Sequence, residues 1–440
     1  AEFAPDYDCL VSADARTDGR DLDQKLQDMP SIAQKNYNAQ APSRAGDRYH
    51  YVRTARLCLT MLAANADLIK VVVEGAAEDD LADGGEDVID LALYRTNPDG
   101  SRRVSYRQFK HSLMRVDEEM TASDVVATLR GFAVRFESIW EVERASSTPI
   151  RHEFEFETNR PIADTVAKAI RDLESGRSSS TSDYLRRALQ LQDDALRAFA
   201  SRLRFLPRTP SLDGERAGLW EDTSGYLPET DRDVPIRLVE MVAEKAAKQN
   251  AADLKITRLD VLRQMDCDEH ALGPAPSRLE LPAGVISRPI LTDILSEIVH
   301  ANGPIILQAE GGIGKSVAAM QLPRLLPPGS ASVVYDCFGN GSYRDPAHPR
   351  HQPRQALVQI ANEMAFQGLC GPLIPSNRAS EDAYARAFLS RVGQAARSVG
   401  ATPDAVLLIV VDAADNAEVV ASERSEAASF ARGLLRMTWP

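Results

Sequence analysis

The sequence predicts an α/β protein in two parts. Three observations carry this. Short apolar runs alternate with helical stretches between residues 48 and 205. An apolar run at 304–307 leads through a glycine-rich turn into helix-forming residues. A second continuous apolar run, 405–411, ends in acids and reads as a parallel strand buried on both faces.

The elements follow in chain order. Residues 1–45 are polar and irregular, with Pro5, Pro30 and Pro42. Tyr51, Ala55, Leu59 and Leu62 recur at helical spacing and predict a helix over Arg48–Ala64. Strand-like runs follow at Leu68–Glu74, Val88–Tyr94 and Arg103–Lys110, the last two joined by the turn-forming Asn97-Pro98-Asp99-Gly100. A helix is predicted over Ala122–Glu137, a strand over Glu153–Glu157, and helices over Ile162–Leu173 and Ser182–Phe205. These make a domain of residues 46–206. Residues 207–280 read as a connector: a Pro-, Gly-, Asp- and Thr-rich stretch to 235, a short helical region to Gln264, and a seam at Gly273-Pro274-Ala275-Pro276. From 281 to 440 strands and helices alternate, as on a parallel sheet.

Composition sets bounds. With 440 residues, 44% hydrophobic and 26% charged, the chain has ample material for packed cores. Cys9, Cys58, Cys267, Cys337 and Cys370 lie far apart with no CxxC pair, which points to reduced thiols and a cytoplasmic setting. No stretch approaches membrane-spanning length. A net charge of -13 excludes a general basic coat, so contact with nucleic acid must come from local patches.

Two constellations carry chemistry. The first is Gln308-Ala309-Glu310-Gly311-Gly312-Ile313-Gly314-Lys315-Ser316, between Pro304–Leu307 and a helix opening at Val317. Strand, glycine loop, Lys-Ser and helix form a P-loop, in which Gly311, Gly312 and Gly314 let backbone N–H groups surround phosphate oxygens. Lys315 would reach the β- and γ-phosphates of ATP, and Ser316 would ligate Mg²⁺. Ala309 replaces the first glycine of the strict pattern. Asp412, ending the 405–411 run, is placed to hold the same metal, and Asp415 to position a water.

The second constellation lies at residues 74–112. Gly85–Leu93 puts an acid inside an apolar strand, and Ser105–Ser112 carries Gln108-Phe109-Lys110. Period-two alternation sets Gln108 and Lys110 on one face, where they can meet Asp90 or Asp87 on the neighbouring strand. An acid and a Gln-x-Lys on adjacent antiparallel strands form the core of the PD-(D/E)xK, restriction-endonuclease-like fold. Asp90 and Gln108 would hold Mg²⁺ or Mn²⁺, Glu74 would complete the shell, and Lys110 would orient or deprotonate the water or stabilise the charge on the phosphate. Arg102, Arg103, Arg107, His111 and Arg115 form a basic cluster in an acidic chain.

The order Glu74, Glu86-Asp87 with Asp90, then Gln108–Ser112 resembles the nuclease domain of antiviral STAND NTPases of the Avs type and of related CBASS effectors, as does Phe156–Ile162. The segments Gly311–Ser316, Val333–Gly339 and Val410–Asp415 resemble a STAND or NACHT-like P-loop domain. That resemblance implies an ATP-gated effector cleaving double-stranded DNA. It implies assembly into a homo-oligomer, a tetramer or higher, on sensing a phage protein through a region beyond this chain. About two dozen residues follow Asp415, so the chain reads as truncated within its second domain. The alternative is a nucleotide-dependent switch or scaffold whose front domain binds DNA or a partner without cutting.

Overall fold

Alternating apolar residues from the front half assemble one mixed six-stranded sheet. The computed structural model describes residues 41–440 except 79, 81–83, 146–149, 249–253, 287, 302 and 427, and only the backbone of 41–45. The segment 1–40 and Cys9 therefore lie outside the described residues. The chain parts into Ala1–Arg44 and Ala45–Pro440. Of the first unit only the opening residues of helix α1 (Ala41–Leu59) are described; everything below concerns the second.

Strands β1 (Leu68–Val73), β2 (Leu91–Thr96) and β3 (Arg102–Lys110) pair antiparallel in sequence. The predicted turn closes the β2–β3 hairpin. Asn97 N donates to Ser101 O (2.8 Å), and Gly100 takes φ 82°, a value that favours glycine. Helix α2 (Ala122–Ala145) then crosses over, so β4 (Arg151–Thr158) lies parallel to β3. Its buried stripe, Val125, Leu129, Phe132, Phe136 and Ile139, follows the helical period. Each such residue contributes about 1.5–3 kcal/mol by leaving water. The predicted single helix over Ser182–Phe205 is instead α4 (Ser180–Leu189), α5 (Asp193–Arg202) and a short strand, β5 (Leu203–Leu206), after α3 (Asp164–Glu174). Gln190 in the left-handed region (φ 59°) ends α4 and breaks the run. The sheet order is β5-β4-β3-β2-β1-β6.

The last strand corrects the predicted connector. Residues 207–280 do not link domains; they fold onto the sheet. Helices α6 (Leu212–Tyr226), α7 (Asp233–Ala246) and α8 (Arg258–Gln264) cover its second face, and β6 (Lys255–Thr257) extends its edge beside β1. Leu219, Leu238, Val242 and Leu262 share a core with Val71, Leu91 and Phe109. The Gly273–Pro276 seam is likewise built in, with Ala275 buried and its N–H donating to Gln359 Oε1 (2.8 Å).

A buried ionic network ties these layers. Glu157, fully buried, accepts from Arg53 Nε (2.8 Å), Arg107 (2.8 Å) and the Tyr49 hydroxyl (3.3 Å). Arg107 also grips Glu155, at 2.7 Å through Nε. On α6, Glu215 faces Arg53 and Arg56 at 3.5 and 3.3 Å.

In the second half, after the helices α9 (Glu269–Leu272) and α10 (Ile290–His300), β7 (Ala331–Asp336) and β8 (Leu407–Asp412) pair in parallel, with α11 (Lys315–Leu325), α12 (Pro353–Phe366) and α13 (Glu381–Val399) around them. The predicted strand at Pro304–Leu307 is not formed. The segment is irregular, and Ile306 is 72% exposed. Apolar composition supplies the wish for burial but no hydrogen-bonding edge, and the described sheet here stops at two strands. The molecule is thus a mixed α/β protein, and none of its described helices is long and apolar enough to cross a membrane. Cys58, Cys267, Cys337 and Cys370 are free thiols.

Candidate functional site

The ends of three neighbouring strands bring two acids, a glutamine and a lysine together. Asp90 immediately precedes β2, because the predicted strand over Val88–Tyr94 begins only at Leu91 and residues Glu86–Val88 form a 3-10 turn. Its Oδ2 accepts from Gln108 Nε2 (2.5 Å) and from the Phe109 backbone N–H (2.6 Å). Among the described residues no donor reaches Oδ1. The two backbones are tied as well: Asp90 N donates to Arg107 O (3.0 Å), and Glu74 N donates to Asp90 O (2.9 Å).

Glu74 follows β1 with φ 54°. Left-handed backbone at a non-glycine residue costs about 1–2 kcal/mol. Here it re-aims the chain at the point where the carboxyl leaves the strand. Lys110 is exposed at the end of β3, two residues beyond the buried Gln108. Asp87 lies exposed in the 3-10 turn, with no hydrogen bond or ion pair to these groups. Of the two acids the sequence offered, Asp90 is the one that lies against Gln108.

Two further residues come from α1. His50 Nε2 stands 3.8 Å from Asp90 Oδ2, its ring tilted against Phe109. Asp47, one turn earlier, adds negative charge. Sequence reasoning missed both, because nothing in a helix's own pattern says which strand end it will cover. Their i, i+3 spacing on one face was the available signal.

The electrostatics are those of crowded acids. Burial raises the Asp90 carboxyl, against lowering by His50, the Phe109 N–H, Gln108 and Lys110. Although Glu74 sits at the exposed rim, packing around its carboxyl, then Asp90 and Asp47, push it up to about 7. Burial holds His50 below the usual histidine range. Two carboxyls that resist ionising beside each other suit a hard divalent cation, which takes one or two carboxylates and keeps several waters. No three His, Cys, Asp or Glu residues gather closely enough to hold a metal by themselves among the described residues. The protein's share of such a site is therefore Asp90 and Glu74, with Gln108 holding Asp90 in place.

The sign of the pH effect follows. A folded-state value near 7 against the ordinary 4.5 means the folded chain keeps a proton that the unfolded chain has lost. Glu74 alone therefore lowers stability as pH rises from about 4.5 to about 7. A cation that binds the ionised pair reverses this. Mg²⁺ is expected to raise Tm more at pH 8 than at pH 6, and Glu74→Gln to remove that difference in a thermal-shift titration.

The predicted basic cluster is not a patch. Arg107 is buried on the opposite face with Glu155 and Glu157, and Arg103 pairs with Asp67 (3.3 Å). His111 stacks on Tyr49 at 4.4 Å. Arg102 and Arg115 are exposed.

The glycine loop opens α11, which begins at Lys315. Gly312 and Gly314 have φ 78° and 101°, and an added Cβ at either would meet nothing within 4 Å. Glycine is thus needed there for the backbone turn, not for room. Ala309 is not at positive φ, which is why alanine is tolerated. Lys315 Nζ donates to the carbonyls of Ala309 (2.7 Å) and Glu310 (2.9 Å), so the ammonium lies along the loop. Ser316 is half-buried in the first turn. Helix α11 packs on β8, which ends in the buried Asp412. Ala413 then takes φ 54°, and Asp415 is exposed in the next helix. No hydrogen bond or ion pair joins Asp412 or Asp415 to Lys315 or Ser316 among the described residues. Arg350 and His351, in the loop after β7, are buried. Arg350 donates to Asp336 O (2.7 Å) and Pro276 O (2.8 Å) and is structural.

No protein-family model matches the chain, and no curated protein does. Solved structures do align. One is the Acinetobacter baumannii Cap4 SAVED/CARF-domain containing receptor with the cyclic trinucleotide 3'3'3'-cAAA, at 10% identity and a TM-score of 0.30, covering 85% of this chain and 72% of that one. Another is the Moraxella osloensis Cap4 receptor, at 12% identity and a TM-score of 0.29, covering 72% and 67%. The structures named are Cap4 receptors and not STAND NTPases with a nuclease domain. This overturns the Avs-type resemblance drawn from the motifs. With it falls the reading of an ATP-gated antiviral effector that cuts double-stranded DNA when a STAND module oligomerises on sensing phage. A P-loop and a Gln-x-Lys are short enough to arise outside that family.

Proposed function

We propose that Glu74, Asp90, Gln108 and Lys110 form a metal-dependent phosphodiester-hydrolysing site with DNA as substrate, and that the loop 311–316 binds a nucleoside triphosphate, ATP in the first instance. The carrying observation is the carboxylate of Asp90. Gln108 and the Phe109 N–H fix Oδ2, no donor among the described residues takes Oδ1, and Glu74 is crowded beside it. A bound Mg²⁺ or Mn²⁺ would supply an activated water and neutralise charge on the phosphate. Asp90 and Glu74 would hold it, Gln108 would keep the Asp90 carboxylate turned, and Lys110 at the rim would orient the phosphate. At the other site, backbone N–H groups of the loop and the dipole of α11 would hold phosphates, with Lys315 and Ser316 beside them.

A second reading has its own support. With no three-donor metal cluster among the described residues, the same face would bind DNA or a partner without cutting, under nucleotide control. One experiment separates the two. Supercoiled plasmid is incubated with Mg²⁺ and ATP, and binding is followed by gel shift. Cutting that disappears in Lys110→Ala while the shift persists supports hydrolysis. A shift without cutting in the wild type supports the second reading, and neither result removes both. In parallel, Lys315→Ala is expected to weaken binding of a fluorescent ATP analogue at least about ten-fold, the loss of one charge-assisted phosphate contact.

A further inference from the structure

Glu74 holds a backbone conformation that its own residue type disfavours. At φ 54° it stands in the left-handed region, which glycine enters freely and a residue with a Cβ does not. Such a residue stays there only where its surroundings over-determine it. On the strand side the ties are simple: Val73 pairs with Leu91, and Glu74 N donates to Asp90 O (2.9 Å). A tight turn could join two antiparallel neighbours at this point. The chain instead leaves the strand end for the sheet's first face, where Ala76 and Ala77 pack on the core that holds Tyr94, Tyr106 and Phe132. One hydroxyl fixes that departure. Ala77 N donates to the Tyr94 hydroxyl oxygen (2.7 Å), and the hydroxyl donates to Asp80 Oδ2 (2.6 Å). Burial, then the charge of Asp80, pushes the Tyr94 hydroxyl well above its ordinary range, so it keeps the proton it donates.

We infer that Tyr94 is a positioning residue for the metal site: by holding Ala77 and Asp80 it keeps Glu74 in the left-handed turn that sets its carboxyl beside Asp90. This rests on the reading of Glu74 and Asp90 as metal ligands. The Asp90 end of the excursion is held separately. Arg135 Nη1 donates to Gly84 O (3.1 Å), and Val88 packs so closely on Gly131 that a Cβ there would lie 2.5 Å from it. Asp90 is thus placed without Tyr94, whereas Glu74, three residues before Ala77, is not. Without the hydroxyl, Glu74 is free to relax toward the extended backbone of the strand before it, and its carboxyl leaves the pair. Tyr106 is the contrast. Its hydroxyl donates to the same Asp80 (2.8 Å), which Arg135 also faces at 3.4 Å, but it takes no backbone N–H of the excursion among the described residues.

The test is Mn²⁺ binding to the full chain without nucleotide, with free Mn²⁺ read by electron paramagnetic resonance. Asp90→Asn defines the part of the binding that belongs to this site. Tyr94→Phe, which keeps the ring, is expected to weaken that part at least about ten-fold, the usual loss when a group that orients a ligand is removed. Tyr106→Phe is expected to leave it nearly unchanged, although each variant gives up one hydrogen bond to a buried carboxylate and both lose Tm alike. In plasmid cutting, Tyr94→Phe is expected to need more Mn²⁺ for half its maximal rate and to regain the wild-type rate at saturation. A merely structural role would not split the two. Equal Mn²⁺ affinity in Tyr94→Phe and the wild type overturns the inference and leaves the metal site standing. So does an equal loss in both tyrosine variants, or a loss that only matches the unfolded fraction. If the wild type binds no more Mn²⁺ than Asp90→Asn does, the metal site and the positioning fall together. A protein that binds Mn²⁺ as expected but never cuts plasmid keeps the positioning and loses hydrolysis.

Discussion

Replacing Arg107 by alanine is expected to destabilise the protein by about 3–5 kcal/mol, read as a lower urea midpoint with an unchanged slope. Arg107 is 7% exposed in its side chain and faces Glu157, which is 0% exposed, and Glu155 at 16%. Removing the guanidinium leaves one fully and one largely buried carboxylate short of a partner. Arg53 and Tyr49 still reach Glu157, but Arg53 must also serve Glu215, whose Oε1 already lacks a hydrogen bond. Against a typical stability of about 5–15 kcal/mol, the variant stands close to unfolding. A second variant identifies the cause. Arg107→Met with Glu157→Gln puts an apolar chain where the cation was and removes a charge, and it is expected to recover part of the loss. If Arg107→Ala costs under about 1 kcal/mol, the network is solvated and this account is wrong.

Much of the sheet that carries this network and the candidate site was legible in the sequence; the network itself was not. The runs at 68–74, 103–110 and 153–157 became strands within two residues of their predicted ends, and Asn97–Gly100 closed the predicted hairpin. Those readings rest on local chemistry: alternation, β-branched residues, and a turn that needs φ > 0. Alternation also held a lesson left unused. The rule that puts Gln108 and Lys110 together sends Arg107 to the other face, so a cluster defined by proximity in sequence could not be a patch.

What failed required knowledge of partners. Lys255–Thr257 has no pattern of its own and is a strand only because the β1 edge is open to it. Residues 207–280 looked like a connector because Pro and Gly punctuate them, yet Leu219, Leu238, Val242 and Leu262 complete the core under Phe109. Pro304–Leu307 failed in the opposite way, with the right composition and no edge. Asp47 and His50 share a helix face in the sequence, but helix α1 meets the strand ends only in three dimensions. The family reading failed for a related reason. A few residues around a phosphate loop or a strand end report local chemistry, and the rest of the chain decides kinship.

Asp90→Asn tests whether the front site was shaped for chemistry or for folding. Asp90 lies at 12% side-chain exposure with a carboxyl raised by burial, so its charge is held against a desolvation cost. Asparagine keeps the shape, and its amide oxygen can still accept from Gln108 and the Phe109 N–H. Folding therefore loses little and gains the removed charge; the expected change is between zero and about 1 kcal/mol of added stability. Metal binding loses the carboxylate that Gln108 and the Phe109 N–H hold in place, and Glu74 and Asp47 have no such support among the described residues. The expected rate of Mg²⁺-dependent plasmid cutting falls at least about 10³-fold. A structural Asp90 gives the reverse pattern, with a lower Tm and cutting reduced only in proportion to the folded fraction. Measuring Tm and rate on the same preparation distinguishes the two, since residues selected for chemistry are the ones whose removal leaves a fold as stable as before or more so.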